Sequence, residues 1–320
     1  MPSEFELIRR YFTRPTAHTI LAVGDDGAVV RPRPGMDLVI STDMMVEGTH
    51  FFPSMDPTDL GWKALAVNLS DLAAMGAEPR WALLAAALPQ ADEDWLSAFA
   101  DGFFSCAAHH GVDVIGGDTT RGPLNLAPTV FGEVPADQAL TRRGACAGDD
   151  VWVSGAPGRA ALGLAHLRGR VALREPARAT CLAALHRPQP RVELGMALRG
   201  VASAAIDVSD GLLADLGHIL ESSGCAARLD EPLLPRSPEL SACEDRALAW
   251  SCLTAGGDDY ELVFTAPAAR AAELAVLSRE LGLPLTRIGS ARAGTPGSIQ
   301  VLDGRGKTIP LVARGYDHFA

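Results

Sequence analysis

The chain has 320 residues, 48% of them apolar and 21% charged, and a formal net charge of −11 from 28 basic and 39 acidic side chains. That composition belongs to a globular protein long enough for two ordinary domains, and its acidic balance argues against a broad nucleic-acid surface. No uninterrupted apolar run approaches the roughly 20 residues of a membrane span. The opening MPSEFELIRRYF carries acids in an amphipathic pattern, which predicts neither a secretory signal nor a transit peptide and so a cytoplasmic protein.

Hydrophobic periodicity predicts strands at 19–24 and 37–43, a helix over 58–75 ending at Gly76, a strand at 81–88 and a second helix over 92–110. Strands at 112–117 and 126–134 follow, separated by GGDTTRGP, which reads as a glycine-rich loop at the end of a strand. The polar stretch TRRGACAGDD (141–150) reads as a domain boundary. Beyond it the pattern predicts a strand at 151–155, helices near 158–168, 176–187 and 190–200, a strand at 203–207 and a helix from about 210 to 222. Strands at 226–229, 260–265, 285–288 and 298–302 and a helix over 267–281 complete the series, with PLLPRSP (232–238) as a surface loop. The expected class is mixed α/β in two domains, 1–143 and 144–320.

Several common chemistries lack their parts. The six cysteines are scattered with no C-x-x-C pair, and the eight histidines include no H-E-x-x-H, so zinc chemistry has no basis. Lys63 and Lys307 are the sole lysines; GRGKT (304–308) has Val301 where a Walker A loop needs its first glycine, and reads as a surface turn. The five tryptophans read as core.

What recurs instead is aspartate at element ends: Asp25 and Asp26 after one strand, Asp43 after the next, Asp71 on a helix, and Asp118 beside Gly116 and Gly117. Asp207 and Asp210 stand where a strand turns into a helix, and Asp258 and Asp259 lie beside glycines before a strand. Any one of these is more often a turn residue or helix cap. Together they point to a site where acids hold cations, since gathered carboxylates oppose each other's ionisation otherwise. Oxygen ligands without cysteine or histidine suit Mg2+, which takes one or two carboxylates plus substrate phosphates, while glycine turns and a helix N-terminus offer N–H groups to phosphate. The inference is a phosphoryl-transferring enzyme without a P-loop.

The motifs GDDGAVV, STDMMVEGTHF, KALAVNLSDLAAMGAEP, GGDTTRGP, ALTRRGA, AIDVSDGLLADLGHI, GGDDYELVF and the terminal GYDHF resemble the thiamine-monophosphate kinases, collinearly from about residue 4 to 319. That family belongs to the superfamily of aminoimidazole ribonucleotide synthetase and selenophosphate synthetase. The resemblance implies a two-domain aminoimidazole ribonucleotide synthetase-like fold, with an N-terminal ATP- and magnesium-binding domain that forms a homodimer and a C-terminal α/β domain that completes the site. It implies direct transfer of the ATP γ-phosphoryl group onto thiamine monophosphate, in thiamine diphosphate biosynthesis. Residue by residue, it implies magnesium ligands at Asp26, Ser41, Thr42, Asp43, Asp71, Asp118, Asp207 and Asp210, and ATP contacts at Gly117, Asp118, Arg142 and Ser209. Substrate contacts are implied at His50, Asp258 and Tyr316, with no side-chain acid or base. Asp25 and Asp259 are expected to serve turn geometry or to support the neighbouring ligands from behind. His110 stands where relatives often carry a tyrosine, and Asp258 where some carry glutamate. The alternatives are a sister ATP-dependent enzyme with another acceptor and a non-catalytic magnesium–nucleotide-binding regulator.

Overall fold

The computed structural model describes residues 4–311 and Gly315. The chain divides into two compact units, Met1–Leu72 with Ala77–Asp137, and Ala73–Gly76 with Gln138–Ala320.

The first unit runs α1 (Glu4–Leu7), β1 (Thr19–Leu21), β2 (Val29–Val30), β3 (Met36–Thr42), β4 (Met45–Val46), α2 (Pro57–Ala74), β5 (Glu78–Leu88), α3 (Glu93–His109), β6 (Asp113–Arg121) and β7 (Asn125–Pro135). Its main sheet has the order β3-β7-β5-β6, with β4 also on β7; β5 and β6 are parallel and the other pairs antiparallel. The sheet is two-faced. Val39, Val130, Leu84 and Ala86 are buried, while Leu38, Ile40 and Ala85 on the alternate face are exposed, the period-2 signature of a sheet covered on one side. Leu65, Leu69 and Leu72 of α2 and Phe99 and Phe103 of α3 are likewise buried. The two helices touch through glycine: a Cβ on Gly61 would stand 2.1 Å from the Phe99 carbonyl oxygen, and one on Gly102 1.8 Å from that of Thr58. Ahead of β1, buried Asp113 accepts from the N–H groups of Ala17 (2.8 Å) and His18 (2.6 Å) and from the Thr19 hydroxyl (2.7 Å), tying the N-terminal arm to the start of β6.

One expectation is corrected here. GGDTTR is not a loop: β6 continues through it to Arg121 in register with β5, Gly117 opposite Leu84 and Asp118 opposite Ala85. The composition misleads because Gly117 answers a steric demand, not a turn. It takes φ +149°, and a Cβ there would lie 1.9 Å from the Leu84 carbonyl oxygen.

The second unit runs β8 (Asp149–Ser154), α4 (Arg159–Leu167), α5 (Ala177–His186), α6 (Val192–Ala197), β9 (Ala204–Asp207), α7 (Leu212–Ser223), β10 (Ala226–Asp230), α8 (Pro238–Ala242), α9 (Arg246–Ala255), β11 (Leu262–Pro267), α10 (Ala271–Glu280), β12 (Leu285–Arg292), β13 (Ile299–Leu302) and β14 (Thr308–Ile309). Seven strands form one mixed sheet, β14-β13-β10-β12-β8-β11-β9. Alternate residues serve opposite cores: Val151, Val153, Ile206 and Val263 pack with Leu212, Leu216 and Ile219 of α7, whereas Trp152, Ala205, Leu262 and Phe264 pack with Leu194 and Leu274. GRGKT forms the turn between β13 and β14, held by Asp303, whose carboxylate accepts from the N–H groups of Arg305 and Lys307. Among the described residues no helix is long and apolar enough to cross a membrane.

Candidate functional site

In the first unit the acids are organised around the end of β3 and the adjoining helix α2. Ser41 lies on the covered face of the sheet and its hydroxyl donates to Asp71 on α2. Three residues earlier on that helix, fully buried Asn68 accepts from the Asp43 N–H (2.8 Å) and donates to the Ala64 carbonyl (3.0 Å). Residues 68 and 71 are helical neighbours at a spacing of three, so one helix face fixes both the backbone of Asp43 and the hydroxyl of Ser41. Thr42 points to the opposite face, donating to the Pro128 carbonyl (2.8 Å) and accepting from the Thr129 hydroxyl (3.1 Å). Asp43 is exposed.

Beyond β4 the chain doubles back. The His50 N–H donates to the Val46 carbonyl, and its ring Nδ1 accepts from the Val46 N–H, both at 2.9 Å. An accepting Nδ1 puts the proton of the neutral ring on Nε2. Asp26 is exposed beyond β1, its N–H held at 2.9 Å by Asp25, which thereby serves turn geometry. Gly117 and Asp118 lie on edge strand β6, with Asp118 exposed on the same sheet face as Thr42. Three strand spacings separate β6 from β3, roughly 14 Å. Among the described residues no three Asp, Glu, His or Cys side chains gather closely enough to hold an ion.

In the second unit two loops interlock. Asp207 ends β9, buried and paired with Leu262. The Ser209 carbonyl accepts from the Asp258 N–H (2.9 Å), the Val208 carbonyl from the Tyr260 N–H (2.9 Å), and Val208 donates to the Glu261 carbonyl (2.7 Å). This brings Asp207, Ser209, Asp210 and Asp258 onto one hydrogen-bonded platform. Thr141 extends it at the β9 edge, its carbonyl accepting from the Ala205 N–H, so that exposed Arg142 follows directly beside that strand. Gly315 lies against the start of α7, where an added Cβ would stand 2.5 Å from that of Ala214 and 3.0 Å from the Asp210 carbonyl oxygen. Tyr316 lies outside the described residues.

Asp215 is the residue that sequence reasoning missed. Its Oδ2 accepts from the N–H groups of Ser209 (3.1 Å), Asp210 (3.1 Å) and Gly211 (3.0 Å). A carboxylate from the first turn of α7 thus takes the N–H groups of the loop that leads into the helix, ahead of Leu212. Burial pushes Asp215 up to about 7, with Asp210 adding to the effect and the three donors opposing it. The signal was present in SDGLLADL: an acid inside an otherwise apolar helical stripe, four residues after the glycine. Asp259 does comparable work, its Oδ2 accepting from the Gly158 N–H at 2.5 Å and its Oδ1 from the Ala160 N–H at 3.3 Å, at the start of α4. Burial, then Glu261 and Asp258, push it well above the usual carboxylate range against those donors. Glu261 is clamped by Arg191 (2.7 and 2.5 Å) and by the Ser154 hydroxyl (2.5 Å).

Family models cover most of the chain: AIR synthase related protein, N-terminal domain, matches residues 24–134, and the corresponding C-terminal domain matches 147–301. Thiamine-monophosphate kinase of Salmonella typhimurium is 48% identical over 323 residues, 99% of this chain and 98% of that protein. The chain belongs to the thiamine-monophosphate kinase family. Among solved structures, thiamine-monophosphate kinase from Stenotrophomonas maltophilia is 46% identical with a TM-score of 0.85, covering 95% of this chain and 96% of that one. AaThiL complexed with AMPPCP and TMP is 30% identical with a TM-score of 0.77, covering 93% and 92%. Both domains of a thiamine-monophosphate kinase are therefore present here, in the mixed α/β architecture that their relatives share.

Proposed function

We propose that this protein transfers the γ-phosphoryl group of ATP to the phosphate of thiamine monophosphate. An acceptor phosphate oxygen forms the new bond to phosphorus, the bond to the β-phosphate oxygen breaks, and thiamine diphosphate and ADP leave. The carrying observation is that a relative sharing the fold over 93% of this chain holds AMPPCP and TMP together, the pair that such a transfer requires.

The acceptor is already an oxyanion, so no strong general base is needed and the demand falls on positioning and charge. Gly117, Asp118, Arg142 and Ser209 make the ATP contacts in this reading, and His50, Asp258 and Tyr316 the substrate contacts. The acids of Asp26, Asp43, Asp71, Asp118, Asp207 and Asp210, with the hydroxyls of Ser41 and Thr42, are an oxygen-only donor set of the kind magnesium takes. Magnesium is typically held by one or two carboxylates together with nucleotide phosphates and needs no preformed protein cage. Magnesium bound there supplies neutralisation between two polyanions.

The working form in this reading is a cytoplasmic homodimer. Six of the ten exposed large apolar side chains among the described residues, Ile20, Leu21, Val29, Leu38, Ile40 and Met44, fall within residues 20–44 of the first unit, and Leu38 and Ile40 share the exposed face of edge strand β3, apolar surface of the kind a second copy would cover. All six cysteines are free thiols, as a reducing compartment keeps them.

The test is ADP release and thiamine diphosphate formation from ATP, Mg2+ and thiamine monophosphate, with free thiamine as the parallel acceptor. Diphosphate formed from the monophosphate alone, and lost on adding EDTA, is expected. Turnover with neither acceptor overturns the reading.

A further inference from the structure

We propose that Tyr260 is a positioning residue for the substrate contact, its hydroxyl aiming the Asp258 carboxylate at the cationic, amine-bearing heteroaromatic part of the substrate. The proposal rests on the reading of Asp258 as a substrate contact and assigns it a partner.

Three observations carry it. Asp258 and Tyr260 both adopt left-handed backbone, φ +67° and +53°, which L side chains rarely take, and they do so at alternate positions of one short loop. Every group around them is tied down. The N–H groups of Asp258 and Tyr260 donate to the carbonyls of Ser209 and Val208, Asp259 is held at the start of α4, and Glu261 is locked by Arg191 and Ser154. The unusual backbone is thus imposed from both sides of the loop rather than left to relax, and such conformations collect at functional sites.

The third observation is what the conformation accomplishes: the Tyr260 hydroxyl donates to Asp258 Oδ1 at 3.0 Å. The tyrosine ring is buried, so packing fixes where that hydroxyl stands. An aspartate pivots about two side-chain torsions, and a donor at a fixed place selects one orientation of its carboxylate plane. A loop that needed only to bridge α9 and β11 would require neither the left-handed pair nor a hydroxyl between them.

The experiment compares Tyr260→Phe, Asp258→Asn and the double variant, with thiamine monophosphate and ATP titrated separately and melting followed in each. Tyr260→Phe removes one oxygen and keeps the ring. It should raise KM for thiamine monophosphate about five- to tenfold and leave KM for ATP unchanged, the scale of one lost hydrogen bond to a charged group acting through orientation. The double variant should be no worse than Asp258→Asn alone, because the hydroxyl acts through that carboxylate. Tyr260→Phe that lowers the melting point while both KM values stay put makes the contact merely structural and overturns the proposal. So do effects that multiply in the double variant. If Asp258→Asn itself leaves KM for thiamine monophosphate unchanged, the reading of Asp258 fails first and the assignment of Tyr260 fails with it, an outcome separable from an impaired Asp258→Asn beside a normal Tyr260→Phe.

Discussion

Asp43 and Asp215 are both aspartates beside a helix, and they spend their carboxylates in opposite ways. The fold holds Asp43 by its backbone N–H, through Asn68, and leaves its side chain exposed. Asp215 is buried with three N–H groups on one oxygen. Asp43→Asn therefore should leave the melting midpoint nearly unchanged, within about 0.5 kcal/mol as for other exposed substitutions. Turnover should fall by about a hundredfold or more if the proposed metal-binding role of Asp43 holds; steady-state kinetics beside a melting curve tests both halves. A different kind of residue-scale prediction attaches to His110. Its Nε2 is buried with no hydrogen-bond partner among the described residues, and its ring meets His109 edge-on at 4.7 Å. Burial, reinforced by His109, holds it down at about 4. An unfolded histidine takes its proton near 6.5, so between the two values the unfolded chain binds more protons and stability falls as pH drops. The loss should approach about 2 kcal/mol at pH 5, complete below about pH 4, and His110→Phe should flatten it; denaturant midpoints at pH 7.5 and 5 supply the comparison.

Elements were legible wherever a single face sets the period. The alternation in β3 and β7 and the apolar stripe of α3 survive from sequence to structure because burial on one side dictates them. Legibility failed where a tertiary neighbour overrides composition. GGDTTR reads as a loop until the Leu84 carbonyl explains its glycine, and the N–H groups of Ser209, Asp210 and Gly211 look available until Asp215 is seen to fill them. The short β2, β4, β14 and α8 are too brief to announce themselves by periodicity. Of the candidate site, the residue types and their places at element ends could be read; which face each occupies could not, since Ser41 and Thr42 part company only once β3 has a covered side. The strand-level prediction concerns Gly117. Gly117→Ala should cost about 3 kcal/mol or more by forcing β6 off β5, a loss measurable by urea unfolding, whereas the same change in an open turn would be mild.

At the scale of the whole molecule, a chain of net charge −11 has six of the ten exposed large apolar side chains among its described residues within residues 20–44. Charge of that size keeps copies apart, so an apolar face that brings two together has to be local and complementary. Ile40, 58% exposed at the middle of β3, is the place to interrupt it. Under the proposed homodimer, Ile40→Lys should shift the mass from dimer to monomer in sedimentation or light scattering while leaving the first unit folded, and an unchanged mass would take this face out of the interface. In the proposed homodimer, β3 would give stability a variable that no contact within one copy possesses. A dimer that covers Leu38 and Ile40 only by association favours the folded form by mass action, so its melting point should climb with protein concentration and dilution should act on it much as a mild denaturant would.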